Sequence, residues 1–283
     1  MYRRIRLTFI LTTLVAMTAL MAPVQILAIR RGRPLRRRLP HGWHRIASRL
    51  LGLRVTVHGR PARHDGIGVL IAANHASWLD IVALGAATPV SFVAKHEIAG
   101  WSGVSTLAKL QETIFIERAR RGTAGEQAAR IRERLARGDT IVLFPEGTTS
   151  DGNFILPFKS ALFGAVGVEA GRRADASKDK PGGDGPIHVQ PVAIVYTRVH
   201  GVPMGRYDRP VAAWPGDVEL GPHVLGVLAA GALDVSIIFG EPIVATQMPD
   251  RKALAAACEE AVRAMASEAL RGRAQLPSGA KNR

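Results

Sequence analysis

Leu7 to Ile29, LTFILTTLVAMTALMAPVQILAI, runs for 23 residues without a charged side chain. About 20 apolar residues are enough to cross the hydrocarbon of a bilayer, so few other features restrict the chain as much. Arg3, Arg4 and Arg6 precede the run, and RRGRPLRRR (30–38) follows it. Pro23 interrupts it, which allows either a kinked span or a re-entrant, half-inserted helix. A signal peptide would share the basic start. No small-x-small cleavage site follows, however, and the arginine block opposes translocation. The downstream chain is therefore expected on the cytoplasmic face of the inner (plasma) membrane. Next, HGWHRIASRLLGL places Trp43, Ile46, Ala47 and Leu50 at helical spacing. This predicts a short amphipathic helix in the headgroup layer, with an ordinary core-packing helix as the alternative.

The formal net charge of +15 suggests nucleic acid until it is located. No acidic residue precedes Asp65, and that stretch holds 14 arginines, leaving 24 basic against 23 acidic residues beyond it. The excess therefore belongs to the membrane end, where it suits anionic headgroups, and no nucleic-acid partner is expected. The single cysteine, Cys258, excludes an intrachain disulfide and a cysteine-based zinc site, and reads as a small buried hydrophobe.

From Arg54 the pattern changes to short β-branched runs separated by helical stretches. RVTVHG, GVLIAAN, VSFVAK, TIFIER, TIVLFPEG, HVQPVAIVYT and LDVSIIFGEPI are the expected strands. WLDIVALGAA, EQAARIRERLARG and SALFGAVGVEAG are the expected helices between them. The fold class is thus α/β: a mainly parallel twisted sheet with helices on both faces, preceded by the membrane helix and the amphipathic helix. The division is anchoring helices in 1–53, one domain in 54–271 with a mobile loop at 171–186, and a flexible tail at 272–283.

In such sheets chemistry gathers at the carboxyl ends of strands. His75 follows one expected strand with Asp80 five residues on, Glu117-Arg118 closes a second, and FPEGTTSDGN follows a third. His75 in the turn before a helix can meet Asp80 in its first turn. No G-x-S-x-G elbow, P-loop lysine or HExxH spacing is present, and no metal is expected. A histidine base with a carboxylate partner and no protein nucleophile remains. Such a pair can take a proton from a substrate hydroxyl and let that oxygen attack an activated acyl group.

NHASWLD, TIFIERARR, LFPEGTTS and VQPVAIVY, in this order, resemble the four blocks of the membrane-associated glycerolipid acyltransferases, typified by 1-acylglycerol-3-phosphate O-acyltransferase. The likeness spans about Arg54 to Leu254. It implies His75 as base, Asp80 as its orienter, Arg118 as the contact to the acceptor's phosphate, and Glu146, Gly147 and Thr148 in acceptor binding. Lys159 could add positive charge, or its stem could cover apolar surface. The co-substrate implied is acyl-CoA or acyl-carrier protein, with no further cofactor. The first acceptor expected is 1-acyl-sn-glycerol-3-phosphate, giving phosphatidic acid. Many relatives that make it carry arginine after Glu-Gly-Thr, where this chain has Thr149. TTSDGN together with YTRVHGVPMGRYDRP resembles the branch that esterifies lyso-ornithine lipid, the second acceptor. A non-catalytic membrane scaffold, which would have no need of an intact His–Asp pair, is the alternative of another class.

Overall fold

The computed structural model describes residues 2–62, 68–117, 124–166, 187–216 and 218–272. Arg118, the loop expected at 171–186 and the tail from residue 273 lie outside these residues. Among the described residues, nine strands form one sheet: β1 (Leu53–His58), β2 (Val69–Ala73), β3 (Ser91–Lys95), β4 (Ile114–Ile116), β5 (Thr140–Leu143), β6 (His188–Val199), β7 (Val202–Pro203), β8 (Leu233–Phe239) and β9 (Ile243–Val244). The main path runs β1-β8-β6-β2-β5-β3-β4, with β7 and β9 paired to β6. Pairing is parallel along this path except between β6 and β8, and β7 and β9 are also antiparallel to β6. Every expected strand is present, and the last one divides into β8 and β9.

Side chains alternate between the two faces of a strand, and β2 shows the consequence. Ile71 and Ala73 enter one core with α2 (Leu35–Leu51) and α3 (Leu79–Ala87). Leu70 and Ala72 enter the other with α4 (Ala124–Ala136) and α5 (Arg251–Leu270). Cys258 is buried in this second core, and burial pushes its thiol up to about 12. The described remainder of SALFGAVGVEAG is a 3-10 turn, Ser160–Val166, in place of an α-helix.

The amphipathic helix is longer than expected, and its apolar stripe is occupied by protein. Ala47 is fully buried, while Trp43 and Leu50 pack against the first core; Ile46 remains 43% exposed. Most of its apolar stripe therefore packs on the domain, as the core-packing alternative expects. His44 lies over Gly85 of α3, where an added Cβ would sit 2.5 Å from the ring. Burial pushes His44 down to about 4, so it is neutral and bonds Gln111 Oε1 at 2.7 Å.

The first helix, α1 (Tyr2–Arg30), continues unbroken through Pro23 and is long and apolar enough to cross a membrane. One face lies against the domain. Arg6 donates to Leu228 O near one end (2.6 Å), Trp43 donates to Thr18 in the middle (3.0 Å), and Gln25 donates to Leu110 O near the other (2.7 Å). Ile5, Phe9, Val15 and Leu20 are exposed on its outer side. Part of the arginine block also turns inward. Arg36 and Arg37 pair with buried Asp139, which Arg134 also holds, and Arg36 reaches Glu112 at 2.6 Å. These two cations neutralise protein carboxylates, which leaves the other arginines of the block to meet anionic headgroups.

Candidate active site

Parallel register builds the site from two adjacent strands. Ala72 of β2 pairs with Leu143 of β5. His75 and Glu146 each lie three residues beyond that pair, so the chain sets them side by side where the strands end. The loop after β5 grips the histidine's own peptide. Glu146 Oε1 accepts from His75 N at 2.6 Å, and Ser150 N donates to His75 O at 2.9 Å. Asn74 extends the ladder on the other side, exchanging two hydrogen bonds with the backbone of Ile194 in β6. The backbone of His75 is therefore fixed before its ring does anything.

The ring and Asp80 meet as expected. Nδ1 of His75 lies 2.8 Å from Asp80 Oδ2, which also accepts from Ala76 N and Ser77 N at 2.8 and 2.9 Å. The carboxylate sits in the first turn of α3, where free N–H groups and the helix dipole favour a negative charge. Its second oxygen accepts from Tyr196 OH at 2.6 Å, and no part of its side chain is exposed. Burial and the adjacent Asp80 raise Tyr196 well above its ordinary value, which keeps the phenol protonated as a donor. Because Asp80 offers only acceptors to this bond, Nδ1 carries the proton and Nε2 is the basic nitrogen. The ring stacks on Phe144 with centroids 3.9 Å apart, and the His75 side chain keeps 18% of its surface exposed. This is an oriented, accessible base able to accept a proton from a hydroxyl.

Glu146 acts on the scaffold. It is 1% exposed, and its Oε2 accepts from Leu156 N at 2.7 Å, so both oxygens serve backbone groups and burial leaves almost no surface for an acceptor to reach. Burial pushes its carboxyl up to about 7, against the pull of those two N–H groups, while nearby Asp80 adds to the rise. Gly147 follows with φ 75°, a conformation that favours glycine, and is buried; Thr148 is half-buried beside Gly216. Lys159 is exposed and reaches this loop through its backbone, donating to Pro145 O at 2.9 Å. β4 ends at Ile116, three strands from β2 and so about 14 Å along the sheet edge.

Tyr196, Asn74 and Phe144 carry no role in the sequence reading. Asn74 and Tyr196 both stand inside the recognised blocks, but only the pairing of β2 with β6 reveals their partners. Trp214 is a further case: its backbone N–H donates to Ala76 O at 2.7 Å from more than a hundred residues away.

Comparison with known proteins shows the family. The acyltransferase family model matches residues 54–195. The lyso-ornithine lipid O-acyltransferase of Brucella abortus (strain 2308) is 48% identical over 95% of this chain and 97% of its own. Its counterpart from Rhizobium meliloti (strain 1021) is 47% identical over 93% and 86%. A 1-acyl-sn-glycerol-3-phosphate acyltransferase of Neisseria gonorrhoeae is 35% identical over 77% and 76%. Among solved structures, the 1-acyl-sn-glycerophosphate acyltransferase PlsC of Thermotoga maritima shares the fold, with a TM-score of 0.56 at 22% identity over 94% of this chain and 97% of that one. The chain belongs to the acyltransferase family, and it is an acyltransferase.

Proposed function

We propose that this enzyme esterifies the free hydroxyl of lyso-ornithine lipid, with acyl-CoA or acyl-carrier protein as donor. His75 Nε2 takes the hydroxyl proton as the oxygen attacks the thioester carbonyl. An ester C–O bond forms, the C–S bond breaks, and the departing thiolate takes the proton from His75. Asp80 holds the ring in the required tautomer and stabilises the imidazolium. The hydrogen bond from His75 Nδ1 to Asp80, with its three further donors, is the observation that carries the mechanism. For the acceptor, support comes from relatives named for lyso-ornithine lipid at 48%, 47% and 38% identity, against 35% for the Neisseria gonorrhoeae enzyme named for the glycerophosphate. Thr149 in place of arginine agrees, since a phosphate dianion calls for compensating charge. Arg118, Thr148, Gly147 and Lys159 remain the acceptor-side residues of this reading.

The same reading puts the enzyme on a membrane, with the outer face of α1 in lipid and the domain on the cytoplasmic side. α1 touches the domain near both ends, so in this reading it lies along the domain with its outer face in one leaflet. The test is an acceptor panel: purified full-length enzyme, labelled acyl-CoA and acyl-carrier protein, and lyso-lipids that differ in headgroup. Lyso-ornithine lipid is expected to give the highest kcat/KM. A higher value for 1-acylglycerol-3-phosphate would contradict the acceptor assignment.

A further inference from the structure

Two loops that are remote in sequence meet beside the base. Residues 150–154, SDGNF, continue the chain from Ser150, whose N–H holds His75 O at 2.9 Å. Residues 204–216 lead to Trp214, whose N–H holds Ala76 O at 2.7 Å. The loops are stitched together in two places. Arg209 Nη1 donates to Asn153 Oδ1 at 3.0 Å, and Gly152 abuts the side chains of Arg209 and Ala213 closely enough that an added Cβ would lie 3.6 and 3.3 Å from them. Both loops are thus tied to the catalytic turn at one edge and to each other at the next.

Their charged side chains are unusual for an anion site because they balance. Arg206 is exposed and lies over the ring of Phe154, 4.9 Å from its centroid. Asp151 is half-buried and accepts from Asn153 N at 2.9 Å and Asn153 Nδ2 at 3.2 Å, which fixes the carboxylate without using all of its lone pairs. Arg209 and Asp208 add one charge of each sign, and Asp208 caps its own turn through Gly205 N at 2.8 Å. Two arginines and two aspartates sum to zero. A phosphate dianion would find no net attraction here and would face Asp151. An ornithine headgroup, with one carboxylate and one ammonium, matches the pair in sign.

We propose that Arg206 and Asp151 form the headgroup site of the acceptor, Arg206 taking the ornithine carboxylate and Asp151 its ammonium. This rests on the lyso-ornithine reading above and names the residues that select that headgroup. Phe154 holds the guanidinium in place from below. The Arg209–Asn153 bond keeps the two loops at a fixed separation, so Arg209 and Asn153 position the site without contacting the headgroup.

The test uses full-length enzyme and variants Arg206→Gln, Asp151→Asn and the double variant, with kcat/KM measured on lyso-ornithine lipid and on 1-acylglycerol-3-phosphate. Each single variant is expected to lower the value for lyso-ornithine lipid about 10-fold or more, the scale of a lost charge-assisted hydrogen bond. Asp151→Asn should also raise the ratio of phosphate to ornithine turnover, because it removes an anion facing the dianion. Equal losses on both acceptors would show a merely structural role and overturn the assignment, as would unchanged kinetics. A melting temperature for each variant separates misfolding from recognition; if a single variant unfolds, Arg206→Lys, which keeps the charge, must retain most of the selectivity. Wild-type enzyme that ignores lyso-ornithine lipid would instead overturn the acceptor reading itself, and this inference with it.

Discussion

Glu146 shows how one buried carboxyl can hold the backbone of a site. Its two oxygens hold the N–H groups of His75 and Leu156, and the first sets where the base begins. Because burial pushes it up to about 7, its folded value lies above its ordinary 4.5. Such a raised group contributes stability that is fully present below pH 4.5 and is lost as pH rises through about 7. The shift corresponds to on the order of 3 kcal/mol. Glu146→Gln removes this titration. Its melting temperature should therefore gain on the wild type as pH rises from 5 to 8, even though the amide places an N–H donor against one backbone N–H and lowers kcat. A constant difference between the two across that range would show that Glu146 does not titrate there.

Among elements, the seam between α2 and α3 decides how the amino-terminal helices join the domain. Gly85 lets the His44 ring approach the α3 backbone, and His44 in turn bonds Gln111. Gly85→Ala would drive a methyl into the ring and should cost about 1–3 kcal/mol, the usual scale of overpacking. A second change, His44→Ala, should return part of that loss; denaturant titration of the three variants measures both, and additive losses would contradict the steric account. This seam also shows what the sequence makes legible. Apolar runs such as VLIAA announced buried strands, because a strand covered on both faces has no polar side. His75 with Asp80 was legible because both partners lie within one turn. The amphipathic pattern around Trp43 was not decisive, since α3 and a lipid surface ask for the same apolar stripe. Tyr196 and Trp214 were invisible for another reason. Their partners, Asp80 and Ala76, lie more than a hundred residues away, and only strand order brings them together.

Across the whole molecule, one packed body carries an exposed apolar face on α1. Residues before Arg54 share the first core with the sheet, Ile10 of α1 included, so the amino-terminal helices and the sheet form one unit. Deleting the first 40 residues would remove the arginines paired with Asp139 along with the apolar face. A cleaner test changes Phe9, Val15 and Leu20 to glutamine, since all three are exposed on α1. Each apolar side chain withdrawn from lipid forfeits about 1.5–3 kcal/mol. The triple variant should keep its melting temperature in detergent, pellet poorly with vesicles, and slow on membrane-embedded acceptors. Full pelleting would place the membrane contact elsewhere on the molecule.

The central claim is that the imidazole of His75, oriented by Asp80, ionises the incoming hydroxyl. Single-turnover ester formation with labelled donor and lyso-ornithine lipid, compared among wild type, His75→Ala and Asp80→Asn, tests it most directly. The account predicts a loss of at least about 10²-fold for His75→Ala, the lower end for a general base. Asp80→Asn should fall steeply as well, because an amide in that position can donate to Nδ1 and favour the wrong tautomer. Ester formation by His75→Ala at the wild-type rate would contradict the account.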